Sequence, residues 1–159
     1  MKRTRAAVAY GSNLGDRQSH IEAALRRLAA HPGIRLLRRS QTIETEPVGG
    51  PSQGPFLNGV VLVETQLSPR QLLAHLLRVE DQGGRVRQES NGPRTIDLDL
   101  ILFGDTVLTD ADCRVPHPRA AQRGFVLQPL AEVAADWRHP EAGCSVSELL
   151  ARWQESTTP

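Results

Sequence analysis

An α+β fold, with helices packed on one antiparallel sheet, is predicted by three features of this chain. Hydrophobic periodicity changes along it in the order strand, helix, strand, strand, helix, strand. Both helical stretches in that order open on a capping residue and stop at glycine. No repeat, low-complexity tract or linker divides the 159 residues, which read as one domain, 1–159, long enough to bury a core without disulfides or a structural metal. The element order is that of the split βαβ pattern, the βαββαβ core of a ferredoxin-like domain.

Ala6 to Tyr10 reads as a short buried strand ending at the turn-forming Gly11-Ser12-Asn13-Leu14-Gly15. Ile21, Ala24, Leu25 and Leu28 then recur at helical spacing, with Asp16 as cap and His31-Pro32-Gly33 as stop. Ile34 to Thr45 reads as one strand of mixed alternation, with Arg38 and Arg39 solvated. A Gly- and Pro-rich loop, Glu46 to Pro55, leads to a strand from Phe56 to Thr65. Ser68 caps a second helix with Pro69 in its first turn, and Leu72, Leu73, Leu76, Leu77 and Glu80 carry it to Gly83-Gly84. A basic loop then precedes the strand in Gly92 to Asp105. Beyond it lie a short strand near Thr106 to Leu108, an irregular stretch from Val115 to Arg123, an apolar run from Phe125 to Ala135, and a last helix announced by the capping box Ser145-x-x-Glu148.

Composition excludes several partners. A net charge of +1 argues against duplex nucleic acid or an anionic membrane as a bulk electrostatic partner. Cys113 and Cys144 lack C-x-x-C spacing, so no zinc site is expected and a reducing compartment fits. The basic start is followed by an apolar run too short for a signal sequence, and no stretch approaches membrane-spanning length. A cytoplasmic monomer acting on small molecules is the expectation.

The run GPRTIDLDLILFGD carries the chemistry. In a regular strand Asp97, Asp99, Ile101 and Phe103 share one face, and Ile96, Leu98, Leu100 and Leu102 fill the other. The two carboxylates then lie about 6.6 Å apart at Cα, near enough to share one Mg²⁺ or a pair of ions about 3.5–4 Å apart. An acidic outer face without a metal is the blander alternative. Arg85, Arg87 and Arg94 surround the entry to that strand, and Arg119 and Arg123 follow beside His117. Guanidinium groups bind phosphate oxygens bidentately and keep their charge, which suits phosphoryl transfer. No G-x-x-x-x-G-K-[ST] is present, so a triphosphate has to be held by side chains and metal. Aromatic residues are scarce, three Phe, two Trp and one Tyr, so Phe56 and Phe125 stand out as a pair able to sandwich a flat heterocycle, with Asn58 as a reader of an amide-like ring edge. On composition alone ordinary core packing is the favoured reading of the two Phe residues, and a buried Asn satisfied by backbone is equally ordinary.

AYGSNLGDR, ETEPVGGPSQGPFLNGVVLVET, GRVR ahead of GPRTIDLDLILFGD, and VPHPRAAQRGFVLQPLAEV together resemble the 6-hydroxymethyl-7,8-dihydropterin pyrophosphokinases of folate biosynthesis, over residues 8 to about 134. The resemblance implies a ferredoxin-like fold and transfer of the β,γ-pyrophosphoryl group of ATP to the pterin hydroxymethyl oxygen, with release of AMP and two Mg²⁺ ions organising the triphosphate. It implies Asp97 and Asp99 as metal ligands, with Arg85 and Arg94 beside them in catalysis. For ATP it implies Glu80, Arg85, Arg87, Arg94, Leu100 through its backbone, His117 and Arg123. For the pterin it implies Phe56, Phe125 and Asn58, with Thr45 and Val48 through their backbone, over a floor shaped by Gly11, Ser12 and Asn13.

The chain departs from many members in the short loop Arg85 to Arg94, where Ser90-Asn91 replaces Arg-Trp, and at Asp112 and Arg114, to which nucleotide contacts do not transfer. Closure of Glu46 to Pro55 and Arg85 to Pro93 over the substrates is expected. Two other readings share parts of the pattern: a different Mg²⁺-dependent phospho- or nucleotidyltransferase, which needs no Phe56, Asn58 and Phe125 pocket, and a non-catalytic ligand-binding module, which needs neither aspartate.

Overall fold

The computed structural model describes residues 2–46, 54–83 and 95–157; Val48, Arg85, Arg87 and Arg94, and most of the two loops expected to close, lie outside them. In chain order the elements are β1 (Thr4–Ser12), α1 (Arg17–Ala29), β2 (Ile34–Arg39), β3 (Ile43–Thr45), β4 (Phe56–Thr65), α2 (Pro69–Gln82), β5 (Asp97–Phe103), β6 (Leu108–Asp110), β7 (Cys113–Val115), a 3₁₀ turn (Ala120–Gln122), α3 (Gly124–Ala134) and α4 (Val146–Thr157). The main sheet runs β2-β4-β1-β5, with β3 also on β4, and every pairing is antiparallel. This is the expected α+β, ferredoxin-like arrangement, each of α1 and α2 linking two strands that have a third between them.

The helices start where their caps are encoded. Asp16 accepts the Ser19 amide at 3.1 Å. Ser68 and Gln71 form a reciprocal capping box with Pro69 in the first turn, and Ser145 and Glu148 form another ahead of α4. Ile21, Leu25 and Leu28 of α1 and Leu72, Leu76 and Val79 of α2 pack on one sheet face against Val8, Val61, Val63, Leu98 and Leu100. The opposite face belongs to α3, whose Val126, Leu130 and Val133 pack on Ala7, Val60 and Leu62.

Several expectations are corrected. The strand from Ile34 to Thr45 is two, because between them Ser40 bonds to Val60 twice, donating its amide to the carbonyl and accepting the Val60 amide on Oγ, both at 2.9 Å. Arg38 and Arg39 are not merely solvated. Arg38 donates to the carbonyls of Glu132 and Val133 at 3.3 Å, and Arg39 pairs with Glu22 at 2.6 Å with its guanidinium over the Tyr10 ring. The register between β1 and β5 slips at Ile101, which has no partner between the Val8–Leu100 and Ala7–Leu102 pairs. That bulge inverts the alternation beyond it, so Leu102 joins Asp97 and Asp99 on the α3 face and Phe103 turns to the α1–α2 core. The strand near Thr106 is instead β6, two residues later, in a hairpin with β7. The apolar run from Phe125 becomes α3 despite Pro129 within it. No helix of the described residues is long and apolar enough to cross a membrane.

Where the end of α1 meets the middle of α2, the His31 and His75 rings meet edge to face, centroids 4.8 Å apart, and the buried His75 Nε2 has no hydrogen-bond partner among the described residues. Burial, then the His31 ring and Arg78, holds the His75 imidazole below its ordinary 6.5, against a bond to Arg27. A folded-state pKa below the unfolded one gives stability that is complete above the unfolded value and is lost as pH falls through it toward the folded one, because the unfolded chain protonates first. Thermal unfolding should therefore show a lower midpoint at about pH 5 than at about pH 7.5, and His75→Gln should shrink that drop. An unchanged drop in the variant would show that His75 is not among its causes.

Candidate active site

The site begins with what β1 lacks. On the face toward α3 the strand presents Ala7, Ala9 and Gly11, whereas Val8 and Tyr10 point into the α1–α2 core. Ala7 lies under α3, and Ala9 and Gly11 continue past its end as the bare floor of a cleft. Strand pairing builds the walls. Gly11 lies opposite Asp97 on one side and Asn58 on the other, and Ala9 opposite Asp99 and Val60. Asp97 and Asn58 therefore sit two strands apart, about 10 Å at the backbone, with nothing taller than a glycine between them.

Asn58 is held in place. Its Nδ2 donates to Thr45 Oγ1 at 2.5 Å, which ties β3 to the middle of the floor. A Cβ at Gly11 would stand 2.7 Å from Asn58 Oδ1, so the absence of a side chain there gives the amide its position. Phe56, one pleat along β4, lines the same cleft. The exit of the preceding loop is fastened from α1: Arg17 donates to the Pro55 carbonyl at 3.0 Å and approaches Glu44 at 3.5 Å, and Asn13 donates to the Gly54 carbonyl at 3.3 Å.

Asp97 and Asp99 both face the cleft, as alternation predicts, since the bulge comes only after them. β5 is the edge strand, and the Leu98 amide points outward, away from β1. Glu80, at the end of α2 and only 1% exposed, receives that amide at 2.7 Å. An edge amide buried without an acceptor is costly. Glu80 thus fixes the strand that carries the aspartates, as a buried support at the outer edge of β5. Leu100 is buried beside it in the α1–α2 core, and by strand parity its backbone groups fall on the outer edge, as those of Leu98 do.

The opposite wall comes from α3. Arg119 and Arg123 flank the 3₁₀ turn, Phe125 and Val126 open the helix, and all four line the cleft with Glu46. The Arg123 guanidinium lies over the Phe125 ring, 5.6 Å from its centroid. His117 accepts the Arg119 amide on Nδ1 at 3.2 Å, and its own amide donates to the Ile101 carbonyl at 2.9 Å. Burial lowers the His117 pKa, Arg123 and Arg119 lower it further, and Asp97 opposes them. The neutral ring with its proton on Nε2 is therefore a donor beside the arginines.

Of the residues expected from the sequence, Thr45, Phe56, Asn58, Asp97, Asp99, Arg123 and Phe125 converge on one cleft, and His117 stands next to it. Ala9 was not anticipated, although the run of small residues at Ala7, Ala9 and Gly11 was an available signal, and Glu46 was expected only as the first residue of a closing loop. Chemically the cleft joins paired carboxylates, guanidinium groups, two aromatic rings and the Asn58 carboxamide.

The sequence profile of the 7,8-dihydro-6-hydroxymethylpterin-pyrophosphokinase family matches residues 7–135. A 2-amino-4-hydroxy-6-hydroxymethyldihydropteridine pyrophosphokinase of Pseudomonas aeruginosa is 43% identical over 147 residues, 92% of this chain and 90% of that protein. One of Synechocystis is 41% identical over 145 residues, 91% of this chain and 74% of that protein. Wild-type HPPK-DHPS of Plasmodium falciparum with pterin and p-hydroxybenzoate superposes with a TM-score of 0.73 at 14% identity, over 96% of this chain and 42% of that one, a likeness of fold. On the profile and the two bacterial relatives, the chain belongs to the 7,8-dihydro-6-hydroxymethylpterin-pyrophosphokinase family and is a pyrophosphokinase.

Proposed function

We propose that this cleft transfers the β,γ-pyrophosphoryl group of ATP to the hydroxymethyl oxygen of 6-hydroxymethyl-7,8-dihydropterin, giving AMP and the pterin diphosphate, with Asp97 and Asp99 as Mg²⁺ ligands. The observation that carries the reading is the row Asp97, Gly11, Asn58: metal-type carboxylates and a ring-edge reader on one rigid sheet, separated by an open floor. The new bond joins the substrate oxygen to the β-phosphorus, the bond between the β-phosphorus and the α–β bridging oxygen breaks, and the hydroxyl proton leaves to solvent or to a phosphate oxygen.

The donor set fits a hard cation. Among the described residues no three His, Cys, Asp or Glu side chains form a cage, and Mg²⁺ needs few protein ligands when phosphate and water oxygens complete its shell. When bound, Mg²⁺ supplies the positive charge that lets a polyphosphate sit beside Glu46, Asp97 and Asp99. Arg119 and Arg123 neutralise phosphate oxygens from the α3 side. His117 donates from Nε2 in its neutral form. Phe56 and Phe125 bound the pterin slot, and Asn58 and Thr45 offer the hydrogen bonds that select its amide edge. Catalysis here is positioning and electrostatics. Arg85 and Arg94 as catalytic residues, and Arg87 and Val48 as contacts, extend the assignment from the sequence. The cleft lies within one chain, so we take a single-domain monomer as the working unit, and the two buried free cysteines suit a reducing cytoplasm.

AMP release should require ATP, Mg²⁺ and the hydroxymethyl pterin together, and Asp97→Ala should lower kcat by about a thousandfold or more without unfolding the protein. AMP or diphosphate release that ignores the pterin would favour a different phosphotransferase, and tight binding without turnover a binding module. Gly11→Ala should raise the pterin KM by about tenfold, because the new methyl displaces Asn58, while the ATP KM stays near wild type. Equal losses for both substrates would instead assign Gly11 to the general build of the sheet.

A further inference from the structure

We propose that Trp153, on a helix that lends nothing to the cleft wall, is a positioning residue for Arg123 and Phe125. The inference rests on the site assignment above. Arg123 immediately precedes α3 and Phe125 is its second residue, with the buried Gly124 between them. A Cβ at Gly124 would overlap ring carbons of the Trp153 indole, so the indole lies directly on the backbone between the two site residues.

The start of α3 needs such a support. No side chain caps it, and Arg123 spends its side chain on the cleft, over the Phe125 ring. The turn is closed by the Val126 and Leu127 amides on the Arg123 carbonyl, at 3.0 and 2.9 Å, so what remains to be set is how it sits against the rest of the molecule. α4 meets both the 3₁₀ turn and α3: Trp153, Leu149 and Leu150 pack with Ala121 and Leu127 in a small apolar cluster of their own. The turn is thus held from behind on both sides of Arg123. Asp97 and Asp99 belong to the other layer, on β5, so the position of α3 sets the distance between cations and carboxylates. A displacement of about 1 Å in such a site is enough to cost a large part of the rate.

The fit between Gly124 and Trp153 can be read from both sides. Trp153→Leu removes the support, and Gly124→Ala drives a methyl into it. Each should raise the pterin KM by about tenfold, with Trp153→Phe near wild type, because a ring in that place still backs the glycine. In the double variant Gly124→Ala with Trp153→Leu, the smaller side chain makes room for the methyl, and the KM should fall below the product of the two single effects. Phe125→Ala serves as the reference, expected to raise the pterin KM at least as far. If Phe125→Ala raises it while both single variants, corrected for folded fraction, keep the wild-type KM, the inference fails and the site assignment stands. Strictly additive effects in the double variant would also overturn it. If Phe125→Ala leaves the KM unchanged, the site assignment falls, and the inference with it.

Discussion

The bare face of β1 is the constraint on which the rest of the structure depends. A central strand has neighbours on both edges, so its side chains decide how close a second layer can come. Ala7 is small enough for α3 to settle on the sheet, and Ala9 and Gly11 line the floor of the cleft beside the helix start. On the other face Val8 and Tyr10 are large and fully packed. One strand therefore builds a dry core on one side and an open floor on the other, and the strand ladder puts Asp97 and Asn58 at that floor without any loop having to place them.

Holding an acidic edge strand in register is the second requirement. β5 carries two carboxylates on one face and, among the described residues, has β1 as its one ladder partner. Its outer edge is secured by Glu80, whose buried carboxylate takes the Leu98 amide, and by the His117 amide on the Ile101 carbonyl. The bulge at Ile101 then lets both Ile101 and Leu102 pack against the α3 layer, while Phe103 returns to the α1–α2 core. The aspartates are thus followed directly by anchors into both cores, which holds the short strand that carries them rigidly in place.

Local rules wrote most of the fold. Asp16, Ser68 with Gln71, and Ser145 with Glu148 cap the helices at which their spacing points, and the alternation of Asp97 and Asp99 holds because no irregularity precedes them. What escaped the sequence was long-range. The bulge at Ile101 has no glycine or proline to announce it. α3 is apolar nearly all round with a proline inside, a pattern without amphipathic period, and becomes a helix because the sheet, α4 and the 3₁₀ turn enclose it. The split between β2 and β3 depends on Ser40 meeting Val60, and the role of Glu80 on an amide eighteen residues later. The site was legible for a related reason: its sheet residues follow strand parity, whereas Ala9 and Glu46 belong to it only through what the fold places around them.

The two layers govern different dimensions of the site. Along the sheet, the spacing between the carboxylates and the Asn58 amide is set by hydrogen-bonded strands, whose separation hardly varies. Across the cleft, the spacing between those groups and Arg119, Arg123 and Phe125 is set by side-chain packing of α3 on Val60, Leu62 and Ala7 and of α4 behind it. Packing can shift by tenths of an ångström where ladder geometry cannot, so the width of the cleft is the adjustable dimension and its length the fixed one. Changes on the sheet should therefore act on what is recognised, and changes in the α3–α4 layer on how tightly recognition and charge neutralisation are brought together.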